Sequence, residues 1–187
     1  MPKLSTAGWI AHDLGLAAAI GGALFGRVAF DPSLKRIRNA KWRDKVNEEA
    51  WGRYGPVTLG AHALVAVPWL IGRMMLSGRE VSDTARSLTR AKDILVGVSV
   101  VSCLASAVLA RLMASGRREP GPEEARAHGG QHAHDGEDRR KVILDHAVDA
   151  AGMINLAANV GLMGVTTALA MEGAESKAFV DDSRALP

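Results

Sequence analysis

The sequence predicts an all-α fold: an antiparallel four-helix bundle of a polytopic membrane protein, with charged loops between the transmembrane helices. Four long uncharged stretches carry this prediction. A bilayer core needs about 20 helical residues, and a charge-free run of 18 or more is typical of a transmembrane helix. A soluble bundle is the alternative, but a buried soluble helix is rarely apolar on all its faces over such a length. The stretches are Leu14 to Gly26 with 13 residues, Tyr54 to Gly72 with 19, Ile94 to Ala110 with 17 and Ala150 to Met171 with 22.

The first helix is predicted over residues 8–30, although Asp13 and Arg27 bound its uncharged stretch. An arginine near the membrane surface keeps its aliphatic stem in the lipid and its guanidinium in water, so the helix can continue past Arg27. A cleaved signal peptide is the alternative, since Lys3 precedes the apolar run. Asp13 inside that run argues against cleavage, and we expect the helix to be retained.

Three further helices are predicted, each centred on an uncharged run that charged residues bound. Together with the first helix they make residues 1–187 a single membrane domain. They lie at residues 54–77, 92–114 and 146–171.

The connecting segments differ in character. Residues 31–53 mix charged residues with Trp42 and Trp51, which predicts either an interfacial amphipathic helix or a solvated helical connector. Residues 115–141 are rich in His, Gly and charge, which is typical of a flexible loop. Residues 172–187 are expected to form a polar tail.

The distribution of charge predicts an orientation. The chain has 23 Lys and Arg against 20 Asp and Glu, and these basic residues form no single face of the kind that binds nucleic acid. Residues 31–53 and 115–141 contain thirteen of them, whereas the opposite side contains seven. The positive-inside rule therefore predicts a multi-pass protein of the bacterial inner membrane, with both termini outside the cytoplasm and the lipid bilayer as a partner.

Charged residues near the helix ends are expected to pair between helices, because ionisable groups in membrane helices usually pair or face the bundle interior. We expect ion pairs that fix the helix register rather than a proton path, since only His62 lies near the middle. Asp13 is predicted to pair with Arg73 or Lys92, and Asp149 with Arg27 or Arg111. The complete candidate set is Asp13, Arg27, Arg73, Lys92, Asp93, Arg111 and Asp149.

Deep polar residues form a second candidate site. Asn155 and Asn159 lie one turn apart on one face of the last helix, and asparagine in a membrane helix tends to bond to a neighbouring helix. His62 is the comparably deep polar residue of the second helix. We therefore expect His62 to contact Asn155 or Asn159, and any small-molecule or ion site to centre on these three.

Histidines allow two cofactor hypotheses. His128, His132 and His134, followed by carboxylates, could bind a divalent metal such as copper, with His12 as a further candidate ligand. A haem between histidines of neighbouring helices is the other. At 1.5 Å per residue, His12 should lie about 13 Å from the level of His62, which is unfavourable for shared ligation. No bound cofactor is the leading expectation.

No catalytic motif stands out. The sequence contains no phosphate-binding loop, no nucleophile elbow and no metalloprotease pair. Ser102 and Cys103 lie in an apolar helix without an evident base, and a single cysteine forms no intramolecular disulfide. We therefore do not expect an enzyme.

Two short stretches carry a family resemblance. The stretch from His12 to Phe25, with Gly21 and Gly22, and the run 53–56, Arg-Tyr-Gly-Pro, resemble small uncharacterised bacterial four-helix integral membrane proteins. The chain is also distantly similar to the copper-resistance protein D-like superfamily. The resemblance implies a four-helix membrane fold and, for the superfamily, a copper role.

The leading functional hypothesis is a non-enzymatic interaction or accessory subunit of a membrane complex. The alternatives are a transporter or copper-handling membrane protein, which would use His12 and His62, and a haem-binding electron-transfer subunit. The accessory role predicts other membrane protein subunits as partners.

Overall fold

A computed structural model describes the backbone of residues 2–76, 82–116 and 131–185, which is helical apart from short turns. Four of its stretches are long and apolar enough to cross a membrane. The helices are α1 (Pro2–Phe25), a π-helical turn (Gly26–Phe30), α2 (Asp31–Lys35), α3 (Ala40–Leu76), α4 (Asp83–Gly116) and α5 (Gln131–Ala185).

Two helices begin at side-chain caps that lie well before the predicted starts. The amide of Trp42 donates to Oδ1 of Asn39 at 3.2 Å before α3, and the amide of Ala85 donates to Oγ of Ser82 at 3.0 Å before α4. Asn and Ser are favoured caps because their oxygens satisfy amides that have no partner in the first helical turn. The helices therefore begin at the caps and not at the last charge before the apolar run.

The last helix extends beyond its apolar run in both directions. Residues 131–141 belong to the predicted flexible loop and residues 172–185 to the predicted tail, yet both are part of α5. Ala, Glu, Lys and Arg are good helix formers, so a charged segment that adjoins a helix can continue it. Charged residues therefore bound the apolar span of α5, but the helix itself continues through them.

The four long helices pack in a ring around one core. Helix α1 packs against α3, and α4 against α5, while the pairs α1 with α5 and α3 with α4 close the ring. The core takes one buried residue from each helix: Leu16, Val65, Val96 and Leu162. Buried apolar residues thus define the centre, and the polar side chains described below lie around it.

Glycines allow α1 and α3 to approach closely. A Cβ atom at Gly15 would lie 2.6 Å from the carbonyl oxygen of Ala61 and 2.9 Å from Cβ of Leu64. The ring of Tyr54 occupies the space that a side chain at Gly22 would need, and its hydroxyl donates to the carbonyl of Ala18 at 3.4 Å. Small residues permit such contact between membrane helices.

Candidate functional site

A central polar cluster lies beside the apolar core. Its members are buried and come from three helices: α3 supplies one, and α4 and α5 supply two each. They are His62, Ser99, Ser102, Asn155 and Asn159. In an apolar interior such groups are stable only when they are hydrogen-bonded.

His62 and Asn155 join α3 to α5 within this cluster. Nδ1 of His62 donates to the carbonyl of Thr58 at 2.8 Å, so Nε2 is the acceptor in the neutral ring. Nδ2 of Asn155 donates to that Nε2 at 3.0 Å, and also contacts the carbonyl of Ser99 at 2.8 Å and Oγ of Ser102 at 3.1 Å. One amide therefore connects three helices.

Asn159 completes the network. Its Nδ2 donates to the carbonyl and to Oδ1 of Asn155, both at 2.9 Å, while its Oδ1 accepts from Oγ of Ser99 at 2.8 Å. The hydroxyl of Ser102 donates to the carbonyl of Val98 at 2.7 Å. The donors and acceptors of the cluster are directed at one another, which suits it to holding helices together.

A small cavity opens between α3 and α4 next to this cluster. Its volume is about 180 Å³, and His62 and Cys103 are among its lining residues. The remaining lining residues are aliphatic: Leu59, Ala63, Ala66, Val100 and Leu104. The cavity is thus apolar except at the imidazole and the thiol.

A second group of polar residues lies at what we call the Trp9 end of the bundle. Lys92 is 1% exposed, and its Nζ lies 4.5 Å from the ring centre of Trp69 and 4.9 Å from that of Trp9. These distances are typical of cation–π contacts, which strengthen when the cation is desolvated. Lys92 on α4 thereby contacts both α1 and α3.

His12 belongs to the same group. Its Nδ1 donates to the carbonyl of Val65 at 2.9 Å, and the ring of Trp9 contacts it edge to face at 6.3 Å. The residue is 3% exposed, and Nε2 has no hydrogen-bond partner. The ring of His62 bonds to the carbonyl of Thr58, seven residues before Val65 on the same helix. The two imidazoles therefore lie about 10 Å apart in level along α3.

Asp93 anchors the other side of the Trp9 end. Its Oδ1 accepts from Nε1 of Trp69 at 2.8 Å, and its Oδ2 pairs with Arg73 at 3.1 Å. Asp93 therefore neutralises Arg73 and orients the indole that lies under the ammonium of Lys92. Asp13 is exposed, and among the described residues it forms no ion pair within 4.0 Å.

At the opposite end of the bundle, which we call the Phe30 end, an interhelical ion pair joins Arg27 to Asp149. Arg27 bonds to the side chain of Asp149 at 2.9 Å and to its carbonyl at 2.9 Å. Arg111 is exposed at this end. Arg27 thus ties the π-helical turn after α1 to α5. This is one of the two pairings that the sequence predicts for Asp149.

The predicted metal-binding histidines of residues 115–141 lie outside the part of the chain whose side chains the structure describes. They are His128, His132 and His134. Within the described part of the chain, no three His, Cys, Asp or Glu side chains lie close enough together to hold a metal ion.

Sequence reasoning missed the roles of Ser99, Ser102 and the two tryptophans of the Trp9 end. A signal was present for the serines: Lys92, Ser99 and Ser102 follow one another at spacings of seven and three, which places them on one helix face. No comparable signal identifies Trp9 and Trp69 as partners of Lys92, since that contact depends on how three helices are rotated.

Comparison of the chain with models of protein families, with curated protein sequences and with solved structures found no match. The resemblance to the copper-resistance protein D-like superfamily stays a prediction from residues 12–25 and 53–56. The candidate sites are therefore defined by their own geometry.

Proposed function

We propose that this chain is a multi-pass bacterial inner-membrane protein that acts without catalysis as an accessory subunit of a membrane complex. Four candidate spans support insertion: Thr6–Lys35, Ala40–Met74, Asp83–Met113 and Val142–Gly173. Large apolar residues are exposed along all four, including Leu14, Leu70, Ile94 and Met163. Lipid is the environment in which such a surface is stable.

Contacts between α4 and α5 support an antiparallel arrangement. Ser82 bonds to Glu172, Ser99 to Asn159, and Ser102 to Asn155. The residue number falls on α5 as it rises on α4. With four such spans, both termini lie on one side, and the excess of basic residues in 31–53 and 115–141 assigns the Phe30 end to the cytoplasm.

The observation that carries the accessory role is an apolar groove at the Phe30 end. It has a volume of about 410 Å³ and lies between α1 and α3. Trp51 contacts Phe30 at 5.9 Å and Tyr54 at 6.0 Å between ring centres, both edge to face. The groove is lined by Gly22, Phe25, Gly26, Phe30, Ala50, Trp51 and Tyr54.

The groove fits apolar side chains from a helix of another membrane protein. Phe25 is 64% exposed and Trp51 is 41% exposed, although both belong to the groove. Clustered aromatic residues around a preformed pocket are typical of the few positions that dominate binding energy in an interface. The central polar cluster, by contrast, uses its hydrogen bonds within the bundle.

Photocrosslinking in intact membranes tests the proposal. A photoreactive amino acid at Phe25 is expected to give one protein adduct of defined mass, and Trp51→Ala is expected to reduce its yield. Trp42→Ala is the matched control, since Trp42 is an exposed tryptophan of α3 outside the groove. Adducts with lipid alone, together with a monomer of 19.7 kDa after gentle extraction, would overturn the accessory role.

The transporter or copper-handling hypothesis and the haem hypothesis can be tested on the same purified protein. Copper handling predicts stoichiometric copper by elemental analysis, and a haem subunit predicts a Soret band. A colourless, copper-free preparation would contradict both in these forms.

A further inference from the structure

Two buried polar atoms in the described part of the chain have no hydrogen-bond partner: Nε2 of His12 and Oγ1 of Thr166. Their residues are 3% and 8% exposed. An unsatisfied buried polar group is costly, and such groups in a native structure call for a physical explanation. A bound ligand that forms hydrogen bonds would explain both unpartnered atoms if they face the same site.

Helix geometry puts the two residues near the level of Lys92 along the bundle. Thr166 is seven residues after Asn159 and Lys92 is seven residues before Ser99, while Ser99 and Asn159 are hydrogen-bonded. In the antiparallel arrangement proposed above, two turns of about 10 Å along each helix lead to the same level. His12 reaches this level from α1, since the ring of Trp9 contacts both His12 and the ammonium of Lys92.

The buried ammonium of Lys92 also lacks a hydrogen-bond acceptor among the described residues. Its contacts in the described part of the chain are with aromatic faces, and none is a hydrogen bond or an ion pair within 4.0 Å. Asp93 is already paired with Arg73 and bonded to Trp69. Asp13 attracts the ammonium from an exposed position. A buried ammonium of this kind favours an oxygen acceptor beside it.

The side chains of His12, Lys92 and Thr166 together fit the hydrogen-bonding pattern of a carboxylic acid. Because Nδ1 of His12 donates to a backbone carbonyl, Nε2 either accepts a proton from an acid or, once protonated, donates to its anion. Lys92 donates to an acidic oxygen in either case, and the hydroxyl of Thr166 can donate to the second oxygen. We propose that His12, Lys92 and Thr166 bind one small monocarboxylic acid, whose proton is shared with Nε2 of His12.

The proposal predicts that binding is linked to protons. Among the described residues, the charged groups at this end of the bundle are Asp13 on α1, Arg73 on α3, Lys92 and Asp93 on α4, and Glu172 on α5, which accepts from Ser82. Further along α4 towards its first residue, Asp83 pairs with Arg86, and Arg90 is exposed. Asp93 and Arg73 neutralise each other, and Nε2 of His12 is the unpartnered nitrogen that shares the proton of the bound acid. Since each bound carboxylate carries one proton with it, the apparent affinity falls about tenfold per pH unit once neither free partner is protonated.

Formate is the probe because it is the smallest carboxylic acid, and Lys92 and His12 are only 1% and 3% exposed. Full-length protein in lipid nanodiscs is titrated with ¹³C-formate by NMR from pH 5 to 8, with sulfate at equal ionic strength as the reference. Saturable formate binding that weakens with rising pH is expected. No saturable binding, or binding that does not change with pH, would overturn the proposal.

Three variants assign the binding to the site. Thr166→Val removes an unpartnered hydroxyl at nearly constant volume, so it is expected to keep the fold while weakening formate binding several-fold. Lys92→Met is expected to abolish binding. Lys45→Met is the matched control, since Lys45 also lies over a tryptophan ring, that of Trp42 at 5.4 Å, but near the start of α3 at the Phe30 end. Equal formate affinity in folded Thr166→Val and in the control would overturn the assignment, without bearing on the accessory role.

Discussion

His62 accepts a hydrogen bond from Asn155 at 3.0 Å, although these residues belong to α3 and α5, which do not pack directly against each other among the described residues. The bond crosses the ring of helices beside the apolar core. Since Nδ1 of His62 is held by the carbonyl of Thr58, the imidazole presents Nε2 to Asn155. A side-chain contact therefore links two helices whose backbones stay apart.

Asn155→Ala is expected to lower the free energy of unfolding by about 1 to 2 kcal/mol. The substitution removes the donor to His62 and to the carbonyl of Ser99, and leaves both acceptors buried. Reversible unfolding in mixed micelles measures the change. Met153→Ala is the control, because Met153 is exposed on the same helix. Equal stability of the two variants would contradict a stabilising role for the cluster.

Gly15→Ala is expected to destabilise the protein by about 1 to 3 kcal/mol, because overpacking forces a backbone to shift. The new Cβ would lie 2.6 Å from the backbone oxygen of Ala61. Gly21→Ala is the control on the same helix, where a Cβ meets nothing within 4 Å, and alanine is there expected to stabilise the helix by up to about 1 kcal/mol. Thermal unfolding of both variants checks the sign. A stabilising Gly15→Ala would rule out the close contact of α1 with α3.

The pair of Arg27 and Asp149 is expected to contribute little to stability. Their side chains are 29% and 68% exposed, and exposed pairs contribute about 1 kcal/mol or less. A double-mutant cycle with Arg27→Met and Asp149→Asn measures the coupling energy. A coupling well above this range would show that the pair is shielded from water within the membrane protein.

Cysteine labelling is expected to show opposite sides for Asn39 and Asp83. In a Cys103→Ala background, Asp83→Cys should react with an impermeant maleimide from the periplasm, and Asn39→Cys only after the membrane is opened. Both positions are exposed and lie near opposite ends of the bundle. The reverse pattern would invert the orientation, and labelling of both from outside would contradict a multi-pass topology.

Polar residues within apolar runs were the most informative part of the sequence. A lone histidine and two asparagines one turn apart predict a contact, because lipid offers them no other partner, and the structure brings His62 and Asn155 together. Arg27 with Asp149 follows from the same logic. The number of apolar spans follows from hydropathy alone.

The partner of Lys92 could not be predicted. From the sequence, a lysine is expected to pair with a carboxylate. In the structure, α4 is rotated so that the ammonium of Lys92 lies between Trp9 and Trp69, and Asp93 pairs with Arg73 instead. The bond from His12 to the carbonyl of Val65 depends in the same way on the offset between α1 and α3, which approach closely at Gly15. The rotation of a helix about its axis and its axial offset from a neighbour depend on both helices of a pair, so the hydropathy profile of the sequence does not reveal them.

The bond between His62 and Asn155 also bears on how the protein is made. Membrane helices enter the bilayer in order of synthesis, so His62 emerges 93 residues before Asn155. With the proposed membrane insertion, the imidazole acceptor of α3 has no Asn155 donor until α5 is in place. Until α5 packs, a chain that inserts as proposed therefore exposes an unpaired imidazole of α3, a polar feature that distinguishes unassembled bundles from assembled ones.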